Sequence, residues 1–135
     1  MGDHIVPQHE IEVIAGAKAA ALARAAVARL GLSQLEERMD AVRLSISEVV
    51  TNAVRHGGLR QDIDPVRIIV GAGPDTVRIT VEQATAANVK VVQPRRWGED
   101  PGGFGMHLVD QSADDWGYDP GPPGRVWIEF GTPSS

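Results

Sequence analysis

Cysteine is absent from all 135 residues, which excludes disulfides and thiolate metal sites and suits a chain that works in the reducing cytoplasm. Long apolar runs are missing as well. The Ala-rich stretch from Ala15 to Leu32 is broken by Lys18, Arg24 and Arg29, so it lacks the roughly 20 consecutive apolar residues of a membrane span. No Lys/Arg cluster interrupts a net charge of −5, which argues against direct nucleic-acid binding. The first residues, Met1 to His9, show no basic-then-apolar layout of a secretion signal. Proline is missing between Gln8 and Asp64, so nothing there forbids long helices. What is present is 42% hydrophobic and 23% charged residues, the balance of a folded soluble domain. At 135 residues a single domain is expected, with a core from about residue 10 to 130.

Along the chain, Glu10–Ile14 alternates and predicts a short first strand. Gly16 to Gly31 predicts an Ala-rich helix with a packing stripe of Leu22, Ala26 and Leu30. Ser33, with Glu36 three residues on, has the spacing of a capping box, so the second helix is expected to start there and run to Gly57. A left-handed cap is expected at Gly57-Gly58. Period 3.6 then gives way to period 2. Val66–Val70 and Thr76–Gln83 predict two strands joined by the short turn Gly71–Asp75, and so an antiparallel pair. Residues 84–101 form a long connection with Pro94, Pro101 and Arg95-Arg96, a length that suggests a functional lid. Gly102–Asp110 reads as a glycine turn into a helix. Trp116–Asp119 and Arg125–Phe130 read as the closing strands. The order of elements predicts an α+β two-layer sandwich, with helices on one face of a mixed, mostly antiparallel sheet.

The helix ending at Gly57 carries the first chemical signal. Leu44, Ile46, Val49, Val50, Ala53 and Val54 form its apolar stripe, while Glu48, Asn52 and His56 follow at i, i+4 and i+8 along one edge. A solvated polar edge is the plainer reading. Asn52 and Thr51 count against it, because both are mediocre helix formers that a passive surface replaces with Lys, Glu or Ala. Asn offers a neutral oxygen and Glu a base or metal ligand, as a metal–phosphate site requires. The second signal is Gly103-x-Gly105 at a helix start, where backbone N–H groups and the helix dipole converge and no Cβ holds an anion off. No Gly-Lys-Ser/Thr follows it, and Leu108 stands where a third glycine would complete a dinucleotide fingerprint.

Together, Glu48-x-x-x-Asn52 on a helix, a hairpin, and a long loop into Gly103-x-Gly105 resemble the ATP-binding fold shared by gyrase, Hsp90, histidine kinases and MutL. Glu48–Gly57 and Gly102–Asp110, with Ala113–Gly117 and Val126-Trp127, look like the corresponding stretches of bacterial anti-sigma-factor serine kinases. The resemblance runs from about Glu10 to Phe130. It implies that Glu48 is the general base, that Asn52 holds Mg²⁺ against the phosphates of ATP, and that Gly103 and Gly105 shape the lid. It also groups His56, Gln83, Met106 and His107 with the ATP-binding residues, although a lone His near a helix end is more often a capping or packing residue. The implied partners are an RNA polymerase sigma factor and an anti-sigma-factor antagonist protein, with no nucleic acid or membrane, and a homodimer is compatible.

Two positions depart from the family. It usually carries an Asp just after the second hairpin strand to accept a hydrogen bond from the adenine amino group; here the chain reads Val81-Glu82-Gln83-Ala84. Strand alternation puts Val77, Ile79, Val81 and Gln83 on one face, so Gln83 faces inward and Glu82 outward. A hydrogen bond to a charged acceptor contributes about 1.5–3 kcal/mol against roughly 1 for a neutral one. ATP binding is therefore expected to weaken by about one order of magnitude rather than vanish. Arg125 stands near where the family has a Thr. The leading reading is a regulatory serine kinase that also sequesters a sigma factor. The alternative is a nucleotide-weak binding module of the same partner-switching pathway. A detached histidine-kinase catalytic domain fits less well, because no phosphoacceptor helix is seen.

Overall fold

The computed structural model describes residues 5–83, 104–119 and 123–132, and side chains within that range except those of 104–107. Its elements run β1 (Val6–Ile14), α1 (Ala19–Ala28), a 3₁₀ segment (Ser33–Arg38), α2 (Met39–His56), β2 (Pro65–Ala72), β3 (Thr76–Glu82), α3 (Phe104–Ser112), β4 (Asp115–Asp119) and β5 (Arg125–Gly131). The strands form one sheet in the order β1-β2-β3-β5-β4. Every pairing in it is antiparallel, so the mixed sheet expected from the sequence is corrected. Hairpin-length connections such as Gly73-Pro74-Asp75, where the Gly73 N–H donates to the Thr76 carbonyl at 2.8 Å, can only reverse the chain.

All three α-helices described lie on one face. Val66, Ile68 and Val70 of β2, Val77, Ile79 and Val81 of β3, and Val126, Ile128 and Phe130 of β5 are buried against Val42, Ile46, Val49, Val50 and Ala53 of α2. Each such side chain contributes roughly 1.5–3 kcal/mol by leaving water. Helix α1 packs on β1, α3 on β4, and α2 lies between them on the central strands.

Two local expectations fail for identifiable reasons. In α1 the buried residues are Ala19, Ala23 and Val27 rather than Leu22, Ala26 and Leu30, and Leu22 is half exposed. Methyl-sized side chains let α1 approach its neighbours closely and turn Leu22 outward. The second helix does not start at a Ser33 cap. Residues Ser33–Arg38 wind as a 3₁₀ segment with Leu32 at the N-cap position and no side-chain cap, and α2 follows from Met39. Three residues per turn stack i over i+3, so buried Leu35 and Arg38 point the same way. The left-handed cap expected at Gly57-Gly58 is present at Gly58, at φ +77°, after Gly57 at φ −87°.

Arg38 joins three elements. Its Nη1 meets Asp114 Oδ2 at 2.5 Å, its Nη2 donates to the Ser112 carbonyl at 3.1 Å, and its guanidinium lies 5.2 Å from the centre of the Phe130 ring. The start of α2 is thereby fastened to the end of α3. Nearby, the Trp116 indole N–H donates to Asp110 Oδ1 of α3 at 2.9 Å.

The outer face of the sheet is charged and ordered. Glu12, Arg67, Glu82, Arg125 and Asp119 are direct cross-strand partners on β1, β2, β3, β5 and β4 in turn. The row alternates in sign over all five strands, with N–O distances of 3.7, 3.4, 2.9 and 3.8 Å. Beside it, Arg78 pairs with Glu129 at 2.5 Å and stacks 4.7 Å from the Trp127 ring centre. Trp127 covers Gly117, where a Cβ would run into the indole. Arg125, a departure from the family pattern, is thus the fourth member of this row.

Candidate functional site

The flanks of α2 differ in what they meet. Arg24 of α1 donates to Ser47 Oγ at 2.6 Å, so the Ser47 side faces α1. At 100° per residue, Ser45, Glu48 and Asn52 lie on the opposite flank, toward α3. Glu48 and Asn52 are partly buried there, His56 is exposed, and Ser45 is fully buried with its Oγ unpartnered. No other described side chain engages Glu48 or Asn52.

Arg38 sets the direction of α3. With the end of α3 held at the start of α2, the two helices run antiparallel, and about 12 Å back along α3 its first turn is level with the middle of α2. The N–H end of α3 therefore opens beside the Glu48–Asn52 edge, where its dipole favours an anion. Gly105, Met106 and His107 belong to that first turn. Their side chains, the whole of Gly103 and the expected lid at residues 84–101 lie outside the described residues.

The end of β3 completes the arrangement. Gln83 lies on the helix-bearing face that alternation predicts, and is 6% exposed. Its N–H donates to the Gly124 carbonyl at 2.7 Å, which fixes the backbone. At Gly57 a Cβ would stand 3.1 Å from the Gln83 Cβ and clash with the Ala53 carbonyl, so α2 can end against Gln83 only with glycine there. Gln83 Oε1 is buried without a hydrogen-bond partner. An unmatched buried acceptor costs about 1–3 kcal/mol, a cost that a donor-bearing ligand removes. A cavity of about 770 Å³ runs past Gln83, between Gly58, Leu59, Pro65 and Pro123 and the outer-row side chains Glu12, Arg67, Glu82 and Arg125; neither Glu48 nor Asn52 lines it.

The flank that carries Glu48 and Asn52 and the inward face of Gln83 were legible in the sequence. The Arg38 clamp was not: it joins residues 76 apart, with no periodic signal to announce it. Among the described residues no group of three or more His, Asp or Glu side chains could hold a metal ion. No described helix is long and apolar enough to cross a membrane. A family model for the histidine kinase-like ATPase domain matches residues 12–128. No curated protein matches the chain.

Proposed function

The chain belongs to the histidine kinase-like ATPase domain family, which implies ATP binding, and from that premise we propose that it is a regulatory serine kinase of the anti-sigma type. It binds ATP with Mg²⁺ between α2 and the Gly103–Gly105 segment, phosphorylates a serine of an anti-sigma-factor antagonist, and sequesters a sigma factor through a protein surface. The observation that carries the nucleotide part is the unpartnered, buried Gln83 Oε1 between the ends of α2 and β3. Its chemistry fits an exocyclic amino donor.

Asn52 would hold Mg²⁺ through its neutral oxygen, leaving other positions to water and phosphate. Bound ATP supplies the transferable phosphoryl group. Glu48, one turn before Asn52 on the same flank, would take the proton of the attacking serine hydroxyl. The first turn of α3, with Gly105, Met106 and His107, would present backbone N–H groups to the phosphates. His56, exposed at the end of α2, is at the rim of such a site.

A second reading has one observation in its favour. A carboxamide in place of a carboxylate at residue 83 weakens the adenine contact, which suits a module that acts by sequestration alone. Calorimetric titration with Mg²⁺·ATP, followed by labelled phosphate transfer to a cognate antagonist, separates the two. Binding with transfer supports the kinase, and binding without transfer supports the module. No binding at all overturns the nucleotide reading.

A further inference from the structure

We infer that Gln83 makes the base pocket tolerant, so that the protein binds 6-oxopurine nucleoside triphosphates about as well as ATP. The inference rests on the nucleotide reading above and goes further, to which bases the site accepts. Its warrant is how Gln83 is held. The backbone is pinned through the Gly124 carbonyl, and the Cβ is pressed against Gly57. The amide at the end of the side chain is not pinned: Oε1 is buried with no partner, and no other described group selects which end of the amide points at the ligand.

A carboxamide carries one acceptor and a two-proton donor on a planar group that can turn end over end. A 6-aminopurine shows a donor at the amino group and an acceptor at N1. A 6-oxopurine shows the reverse, an acceptor at O6 and a donor at N1–H. Gln83 matches the first pattern in one orientation and the second after a half-turn. A carboxylate has only acceptors. Meeting the exocyclic position alone, it accepts from the amino group but sets negative oxygen against O6, and so disfavours the oxo base. Selectivity is a difference of two affinities and needs a group that fails on the wrong ligand. Gln83 does not fail on either.

Inosine triphosphate is the size-matched probe, since it differs from ATP only on this edge. The full-length protein is titrated calorimetrically with Mg²⁺·ATP and Mg²⁺·ITP, beside Gln83→Glu, which keeps the side-chain shape, and Gln83→Asp. Circular dichroism confirms that each variant is folded. The expected result is a wild-type ATP/ITP affinity ratio within about threefold of one, rising to about tenfold or more in at least one carboxylate variant, the size of one lost charged hydrogen bond. A wild-type preference for ATP as large as that of the variants overturns the inference and leaves nucleotide binding intact. Near-equal affinities in all three proteins also overturn it, because Gln83 is then not the determinant. Binding of neither nucleotide by the wild type overturns the nucleotide reading together with this one.

Discussion

Glu82 and Gln83 are neighbours in the chain and opposites in how they are satisfied. On the outer face of the sheet, Glu82 sits between Arg67 at 3.4 Å and Arg125 at 2.9 Å, inside an alternating row that leaves no rung without its opposite. On the inner face, the Gln83 carboxamide oxygen is as deeply buried and has nothing. A polar group buried with partners organises a fold, whereas one buried without them costs stability until a ligand arrives. The two faces should therefore separate by experiment, with substitutions on one moving stability and on the other moving binding or chemistry.

The largest expected effect is on chemistry. Glu48→Gln should slow phosphate transfer to an antagonist protein by about 10²–10⁴-fold, the usual contribution of a general base, with ATP affinity nearly unchanged. Equal transfer rates would remove Glu48 from that role. Next comes the metal. Asn52→Ala should weaken Mg²⁺-dependent ATP binding by about 10–100-fold, as the loss of one ligand to a charged group implies, with an unchanged melting temperature. Equal affinity at saturating Mg²⁺ would count against it.

Alternation and hairpin length show why one half of the comparison was readable in advance. A period of two dictates that if Val77, Ile79 and Val81 are buried, Gln83 faces inward as well, and the helix period likewise put Glu48 and Asn52 on one flank. The charge row was not readable, because it depends on which residues of five separate strands come level. Register between β3 and β5 is set by contacts far apart in sequence, Glu82 opposite Arg125 among them. The same holds for the face of α1, where close packing of alanines overrode a stripe of larger residues.

Two smaller effects concern stability. Arg38→Ala should cost roughly 1–2 kcal/mol in denaturant unfolding, discounted because both members of the pair remain partly exposed. The hydrogen bond from Arg38, followed by that from the Gly131 N–H, holds the Asp114 carboxyl below its ordinary value of 3.8. A depressed folded value means that this stability is present above pH 3.8 and is lost as the pH falls below it. The gap between wild type and variant should accordingly narrow in acid, and a gap constant down to the acid limit would discount the Asp114 contact. Smallest is Arg67→Gln in the outer row, about 0.5–1 kcal/mol with no change in nucleotide affinity, since exposed pairs contribute little. A loss of ATP binding in that variant would break the separation of the two faces.

The indole of Trp116 gives the molecule a built-in optical gauge. Its N–H is tied to Asp110 on α3, so its emission follows the polarity and distance of that helix. Trp127, wedged between the Arg78 guanidinium and Gly117 on the far side of the sheet, serves as an internal standard. In a Trp97→Phe background, a colour change on adding nucleotide would therefore come from one end of the sheet alone. Any movement of α3 could be followed in a cuvette without attaching a dye.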